Sequence, residues 1–190
     1  MGELNVVFVG DQCGKSSLVN RISNDTFNIV MYSTPGLELT VKTVTTDLGD
    51  LKVLLFDTSN NTSKFFVSHK LVYRKANAVC LVFDLANINT FRNLSYWLRE
   101  ISELPAKVKL YLVGNKCDLC TVSEEYNKEI EYFATINRFQ YFECSAKDTI
   151  GTIDLFNQII NDYLTVNPII ITDTNSTILV KNEIKSNCCY

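Results

Sequence analysis

Residues 10–17 read GDQCGKSS and follow the apolar run LNVVFV at 4–9. A strand running into a glycine-punctuated turn that ends in Gly-Lys-Ser is the pattern of a phosphate-binding loop, whose usual spacing is G, four residues, then GK and Ser or Thr. Here only Asp11, Gln12 and Cys13 separate Gly10 from Gly14, so the loop is one residue short. In such a turn backbone N–H groups point at an anion and the helix that follows adds its positive end. Lys15 would then reach the β- and γ-phosphates of a nucleotide and Ser16 would offer a hydroxyl to Mg²⁺, with residues 10–17, Ser17 included, expected to bind the nucleotide.

Outward from this stretch, short apolar runs alternate with helical patterns. Residues 4–9, 52–56, 78–83 and 109–113 are apolar on both faces, as strands covered by helices on each side must be. Residues 37–47 alternate and read as an edge strand, and 141–143 as a short last strand. Phe91, Leu94, Leu98 and Ile101 recur at helical spacing, as do Tyr126, Ile130, Phe133 and Ala134, and Ile153, Phe156, Ile160 and Tyr163. Ser123 before Glu124 and Glu125 reads as a helix start. The expected fold is α/β: a mostly parallel six-stranded sheet with helices on both faces, occupying residues 1–164. Residues 165–190, rich in Asn, Thr and Ser, read as a flexible tail.

Two further constellations fall at expected strand ends. Asp57-Thr58 ends the strand KVLLF, where a carboxylate can hold Mg²⁺ through water. Asn115, Lys116 and Asp118 follow the strand KLYLV, and Ser145, Ala146 and Lys147 follow the last strand. A carboxylate at Asp118 accepts from the N1–H and 2-amino groups of guanine, two donors that adenine lacks in that arrangement. All of these elements lie at strand C-terminal ends, the edge at which open parallel sheets bind ligands.

Composition excludes several classes. The net charge of −3 argues against broad nucleic-acid binding. No apolar stretch approaches the ~20 residues of a membrane span, no signal peptide is visible, and Val6 stands where N-myristoylation wants Ser or Thr. The seven cysteines are expected to be free thiols. Cys117 and Cys120 form a C-x-x-C, but with no second ligand pair and a single histidine a zinc site is not expected. His69 and Trp97 read as structural residues.

With YSTPG at 32–36, VYRKA at 72–76, NTFRNLSYWLREI at 89–101, NKCD at 115–118 and ECSAK at 143–147, the chain resembles the Ras superfamily of small GTPases and, within it, the Rab family, over roughly residues 3–165. The resemblance implies a GTP/GDP-binding switch that uses Mg²⁺, held by Ser16, Thr34 and Asp57. It gives Thr34 the role of first-switch threonine and, with Lys15, a part in catalysis. It sets Phe27 against guanine and has Ala146 donate a backbone N–H to the base. It also implies effectors, exchange factors, GTPase-activating proteins, prenylation escorts and GDP-dissociation-inhibitor-type partners, a monomeric chain, vesicle traffic, and residence on the cytoplasmic side of intracellular membranes in exchange with the cytosol. The ending Asn187-Cys188-Cys189-Tyr190 matches the paired cysteines that carry geranylgeranyl groups in Rab proteins, and two lipids anchor stably where one is marginal.

The chain departs from that family in three places. The short loop allows two accommodations: a one-residue slip of the first strand that puts Val9 at the opening glycine's place, or a tighter loop with one fewer amide. Either way the middle glycine, with its free access to positive φ, is gone. Residues 57–65 read DTSNNTSKF where Rab proteins read DTAGQERF, so Asn60 replaces a glycine and Asn61 stands nearest to the catalytic glutamine. Asn is one methylene shorter, about 1.5 Å, and a misplacement of that size costs roughly 10²-fold in rate. Slow hydrolysis is the expectation, with a non-hydrolysing, prenylated adaptor as the alternative. Finally, the family's aromatic effector trio is matched by Leu39, Phe56 and Val72 (or Leu71), two of them aliphatic.

Overall fold

The computed structural model describes residues 2–29, 34, 36–47, 49–58, 71–102 and 104–167, and the backbone of 172–173 and 176–177. Six strands form one sheet: β1 (Gly2–Val9), β2 (Leu37–Thr46), β3 (Gly49–Thr58), β4 (Ala78–Asp84), β5 (Lys109–Asn115) and β6 (Gln140–Glu143), in the order β2-β3-β1-β4-β5-β6. Only the β2–β3 pair is antiparallel; β1 pairs in parallel with β3 and β4, and β5 with β4 and β6. This is the sheet expected from the alternation of apolar runs with helical patterns. Among the described residues, no helix is long and apolar enough to cross a membrane.

Side chains on a strand alternate between faces, and both faces of this sheet are covered. Leu4, Val6 and Phe8 of β1, with Ala78, Cys80 and Val82 of β4, pack on one side with Leu18, Val19 and Ile22 of helix α1 (Lys15–Asn24) and with the last helix. Val7, Val9, Val79, Leu81 and Phe83 pack on the other side. There they meet helix α2 (71–75), α3 (Ile88–Arg92), α4 (Leu94–Glu100) and α5 (Glu124–Ile136). Trp97 is sealed into this second core. Ser123 caps α5 as its sequence suggests, accepting from the Tyr126 N–H at 3.2 Å.

Two helices differ from the sequence reading. The helix expected through Phe91–Ile101 is two short helices meeting at Asn93, which keeps helical dihedrals. In the last helix, α6 (Thr152–Val166), Leu155, Phe156, Ile159, Ile160 and Leu164 are buried, whereas Ile153 is more than half exposed. Phe156, Ile160 and Tyr163 of the expected repeat do face the core, Ile153 does not, and the buried stripe also takes in Leu155 and Ile159. A two-residue backbone pair joins 172–173 to 176–177 beyond it.

Burial also governs the thiols. Cys13, Cys80, Cys117, Cys120 and Cys144 are free. Burial pushes the Cys13 thiol up to about 11 and the Cys144 thiol up to about 12, so both are protonated at neutral pH. They behave as small apolar core groups.

β1 ends where Gly10 passes against β4. Gly10 has φ +139°, and a Cβ there would lie 2.0 Å from the Val82 carbonyl oxygen. Only glycine lets the chain turn out of the sheet at this point. Gly49, at φ +103° in the β2–β3 turn, has open space around it. Gly10→Ala should therefore cost about 3 kcal/mol or more of folding stability, and Gly49→Ala about 1–2 kcal/mol from backbone strain alone. Chemical denaturation midpoints of the two variants check this; equal losses would contradict it.

Candidate functional site

The loop between β1 and α1 is built by backbone geometry. Val9 stays in β1, paired with Leu81, and the turn runs from Gly10 to Gly14, so the structure adopts the tighter loop rather than a strand slip. Gly14, at φ 83°, ends the loop as the N-cap of α1 without a side-chain cap, which leaves the first-turn amides facing outward. Gln12 takes φ 45° although it is not glycine. That conformation costs a non-glycine residue about 1–2 kcal/mol. Lys15 is nearly buried and donates from Nζ to the Gly10 carbonyl at 2.6 Å. Asp11 turns away, its Oδ2 accepting from Asn93 Nδ2 at 3.3 Å, so the break between α3 and α4 supports the loop.

Beside the start of α1, three oxygen-bearing side chains converge. Ser16 Oγ donates to Asp57 Oδ2, Thr34 Oγ1 donates to the same oxygen at 3.0 Å, and the two hydroxyls lie 3.0 Å apart. Asp57 is buried and its Oδ1 has no hydrogen-bond partner among the described residues. A buried carboxylate oxygen without a partner is costly. Hard oxygen donors around such an atom suit a small divalent cation.

A second group of side chains gathers at the ends of β5 and β6. Asp118, only 7% exposed, accepts from Ser145 Oγ at 2.6 Å and lies 3.8 Å from Lys147 Nζ. It is carried on a 3₁₀ turn (Cys117–Leu119) introduced by Lys116 at φ 64°. Lys116 pairs with Asp84, at the end of β4, across 2.7 Å. Asn115, almost fully buried, donates to the Cys13 carbonyl at 2.8 Å and accepts a long 3.4 Å contact from the Ala146 N–H. It thus ties the loop after β1 to the loop after β6.

Both groups open into one cavity of about 750 Å³. Gln12, Gly14, Lys15, Ser16, Ser17 and Thr34 line one end, while Asn115, Lys116, Asp118, Ala146 and Lys147 line the other, and half-buried Phe27 also lines the cavity. Of the residues that the sequence singled out, Gly10, Asp11, Cys13, Asp57 and Ser145 stand behind this surface and shape it. Asn61, Cys188, Cys189, Asn60 and His69 lie outside the described residues. Leu39 is half exposed on β2, directly across from Phe56 on β3, and Leu71 is exposed on α2 with Val72 partly buried beside it. Thr58, singled out beside Asp57, also lines the cavity, while sequence reasoning missed Asn28, Ile29 and Leu119 in the lining, the Asp84–Lys116 pair, and Arg21. Of these, only Asp84, at the end of an apolar strand like Asp57, carried a comparable signal.

The family model described as Ras family matches residues 5–165. Among curated relatives, Ras-related protein Rab-10 of Diplobatis ommata is 32% identical over 166 residues, covering 86% of this chain and 82% of its own. Ras-related protein Rab-13 of Rattus norvegicus is 30% identical over 161 residues, covering 84% of this chain and 79% of its own. Ras-related protein Rab-12 of Homo sapiens is 31% identical over 170 residues, covering 88% and 69%. With the sheet order, the loop from Gly10 to Ser17 and the Asn115–Asp118 turn all in the places such a fold requires, the chain belongs to the Ras family of small GTPases and is Rab-like within it.

Proposed function

We propose that the chain is a guanine-nucleotide switch of membrane vesicle traffic whose intrinsic GTP hydrolysis is slow. The observation that carries this reading is one shared cavity with the Gly10–Ser17 loop and the uncapped start of α1 at one end and the Asp118 carboxylate at the other. The phosphates lie against the α1 N-terminus, with Lys15 at the β- and γ-phosphates, and the amides and side chains of residues 10–17 around them. The base lies by Phe27, with its N1–H and 2-amino groups on Asp118 and its oxygen toward the Ala146 N–H, while Asn115, Lys116, Ser145 and Lys147 hold that end together.

Ras-family proteins bind GTP or GDP, typically with Mg²⁺. In this chain Ser16, Thr34 and Asp57 are the residues that would hold the ion, and the unpartnered Asp57 Oδ1 supports that fit. When bound, the ion neutralises charge on the phosphate oxygens. Among this chain's own groups, Lys15 places positive charge on the same oxygens and Thr34 senses whether the γ-phosphate is there.

Hydrolysis in such a site needs an amide that orients the attacking water. No glutamine occurs in residues 57–65, and Asn61 is the nearest equivalent. We infer a weak hydrolase that depends on a GTPase-activating protein. The second reading, a non-hydrolysing adaptor, draws on the shortened loop and the left-handed Gln12. In either reading residues 1–164 form the nucleotide-binding domain and the tail delivers lipids on Cys188 and Cys189. The chain then acts as a monomer on the cytoplasmic face of intracellular membranes and cycles through the cytosol with an escort. Exchange factors load it and effectors read it, without nucleic acid. Because Leu39 and Val72 (or Leu71) are aliphatic, effector identity is not carried over from aromatic-trio Rab proteins.

Two experiments test this. An amide at position 118 has one donor and one acceptor, which match the N1–H and 2-oxo of xanthine and clash with guanine. Asp118→Asn should therefore weaken GDP binding by about a hundredfold and gain binding of xanthosine diphosphate; unchanged GDP affinity in a fluorescence titration would refute the base assignment. In single-turnover phosphate release, the parent should cleave GTP slowly and Asn61→Gln should raise the rate by about tenfold or more. A parent that leaves GTP intact for many hours even with a cell extract favours the adaptor, and an Asn61→Gln variant no faster than its parent removes the missing amide as the cause.

A further inference from the structure

Arg21 stands on α1 outside the cavity, yet its guanidinium reaches across to the loop after β6. Its Nε donates to the Ala146 carbonyl at 2.8 Å and its Nη2 to the Lys147 carbonyl at 3.1 Å. The remaining Nη1 donates to the Asp25 carbonyl at 3.0 Å and to Asp25 Oδ1 at 2.8 Å. The guanidinium is 12% exposed, while the Asp25 side chain is 83% exposed. The Asp25 contacts are solvent-screened, whereas the two carbonyl contacts are charge-assisted, the one to Ala146 part-buried and the one to Lys147 exposed. They join residues 125 and 126 positions apart in the chain.

We propose that Arg21 is a positioning residue for base recognition: its planar fork pins the carbonyls of Ala146 and Lys147 against α1 and so holds the Ala146 N–H toward the base. The inference rests on the guanine-nucleotide reading and deepens it. Ala146 is buried and lines the cavity. Its N–H lies 3.4 Å from Asn115 Oδ1, beyond the usual 2.7–3.2 Å of a strong N–H···O bond, which leaves that donor available to a better acceptor. Once Asp118 takes the N1–H and 2-amino groups, the 6-oxygen, next to N1 on the ring, is the acceptor that this amide meets. The same helix starts at the phosphate loop, so α1 bears on phosphate at its first turn and on the base through Arg21 near its last. A lysine would keep the charge but, as a point donor, would not hold two carbonyls in a fixed fork.

The full 190-residue chain tests this with three ligands: GDP, its 6-thio analogue, whose sulfur is a weaker acceptor, and inosine diphosphate, which lacks the 2-amino group. Release rates and affinities are measured for the parent, Arg21→Ala and Arg21→Lys. The parent should prefer GDP over both analogues. Both variants should release GDP about tenfold faster. Their preference for GDP over the 6-thio analogue should shrink, while their preference over inosine diphosphate, set by Asp118, stays at the parent value. Ratios that do not move, or that fall together, overturn the inference, and Arg21→Lys decides the matter if the alanine variant does not fold. A parent chain that binds none of the three ligands overturns the guanine-nucleotide reading itself, and the inference with it.

Discussion

The hydrogen bond from Lys15 Nζ to the Gly10 carbonyl closes the loop on which everything else at this edge of the sheet depends. It joins the last residue able to leave β1 to the first residue of α1, across a turn one residue shorter than the phosphate-binding pattern. Two constraints make that turn possible. Gly10 has no Cβ to meet the Val82 carbonyl, and Gly14 has none to meet Asn115 Nδ2, which would lie 2.7 Å away. Cys13, packed into the core under Gly10, and the strained Gln12 complete the short path. The result sets a nearly buried ammonium beside uncapped helix amides, a concentration of positive potential that favours an anion.

The two ends of the cavity are not independent. Asn115 is bonded to the carbonyl of Cys13 on one side and in contact with the amide of Ala146 on the other, and Arg21 braces the same loop from α1. Lys116, anchored by Asp84, stands close over Gly14. Strands β1, β4, β5 and β6 contribute these parts because parallel pairing brings their C-terminal ends to one edge. Coupling of this kind is carried by contiguous packed and hydrogen-bonded groups. The two ends of the cavity are thereby joined through a few named bonds.

Much of this was legible in the sequence, for a physical reason. Strands buried on both faces must be apolar at every position, so 4–9, 78–83 and 109–113 announced themselves, and the motif residues stood at their ends. The Gly-Lys-Ser and Asn-Lys-x-Asp runs are local, because each works as a single turn. What escaped was long-range. Nothing near Arg21 signals a partner at Ala146, and nothing near Lys116 signals Asp84, since both contacts exist only after the sheet has formed. The break at Asn93 was hidden because its dihedrals remain helical. Ile153 misled because an apolar residue at helical spacing fits a stripe equally well one position off, and packing against α1 selected Leu155 and Ile159 instead. The missing loop residue left two geometries open until the contact between Gly10 and β4 distinguished them.

The central claim is that the abbreviated loop still binds a nucleotide diphosphate. Isothermal titration of the folded, nucleotide-stripped chain with GDP, run with Mg²⁺ and again with a chelator, tests it most directly. The account predicts one site per chain, with affinity that falls when Mg²⁺ is removed. Absence of binding heat at several temperatures, in a chain whose circular dichroism shows an intact α/β fold, would contradict it.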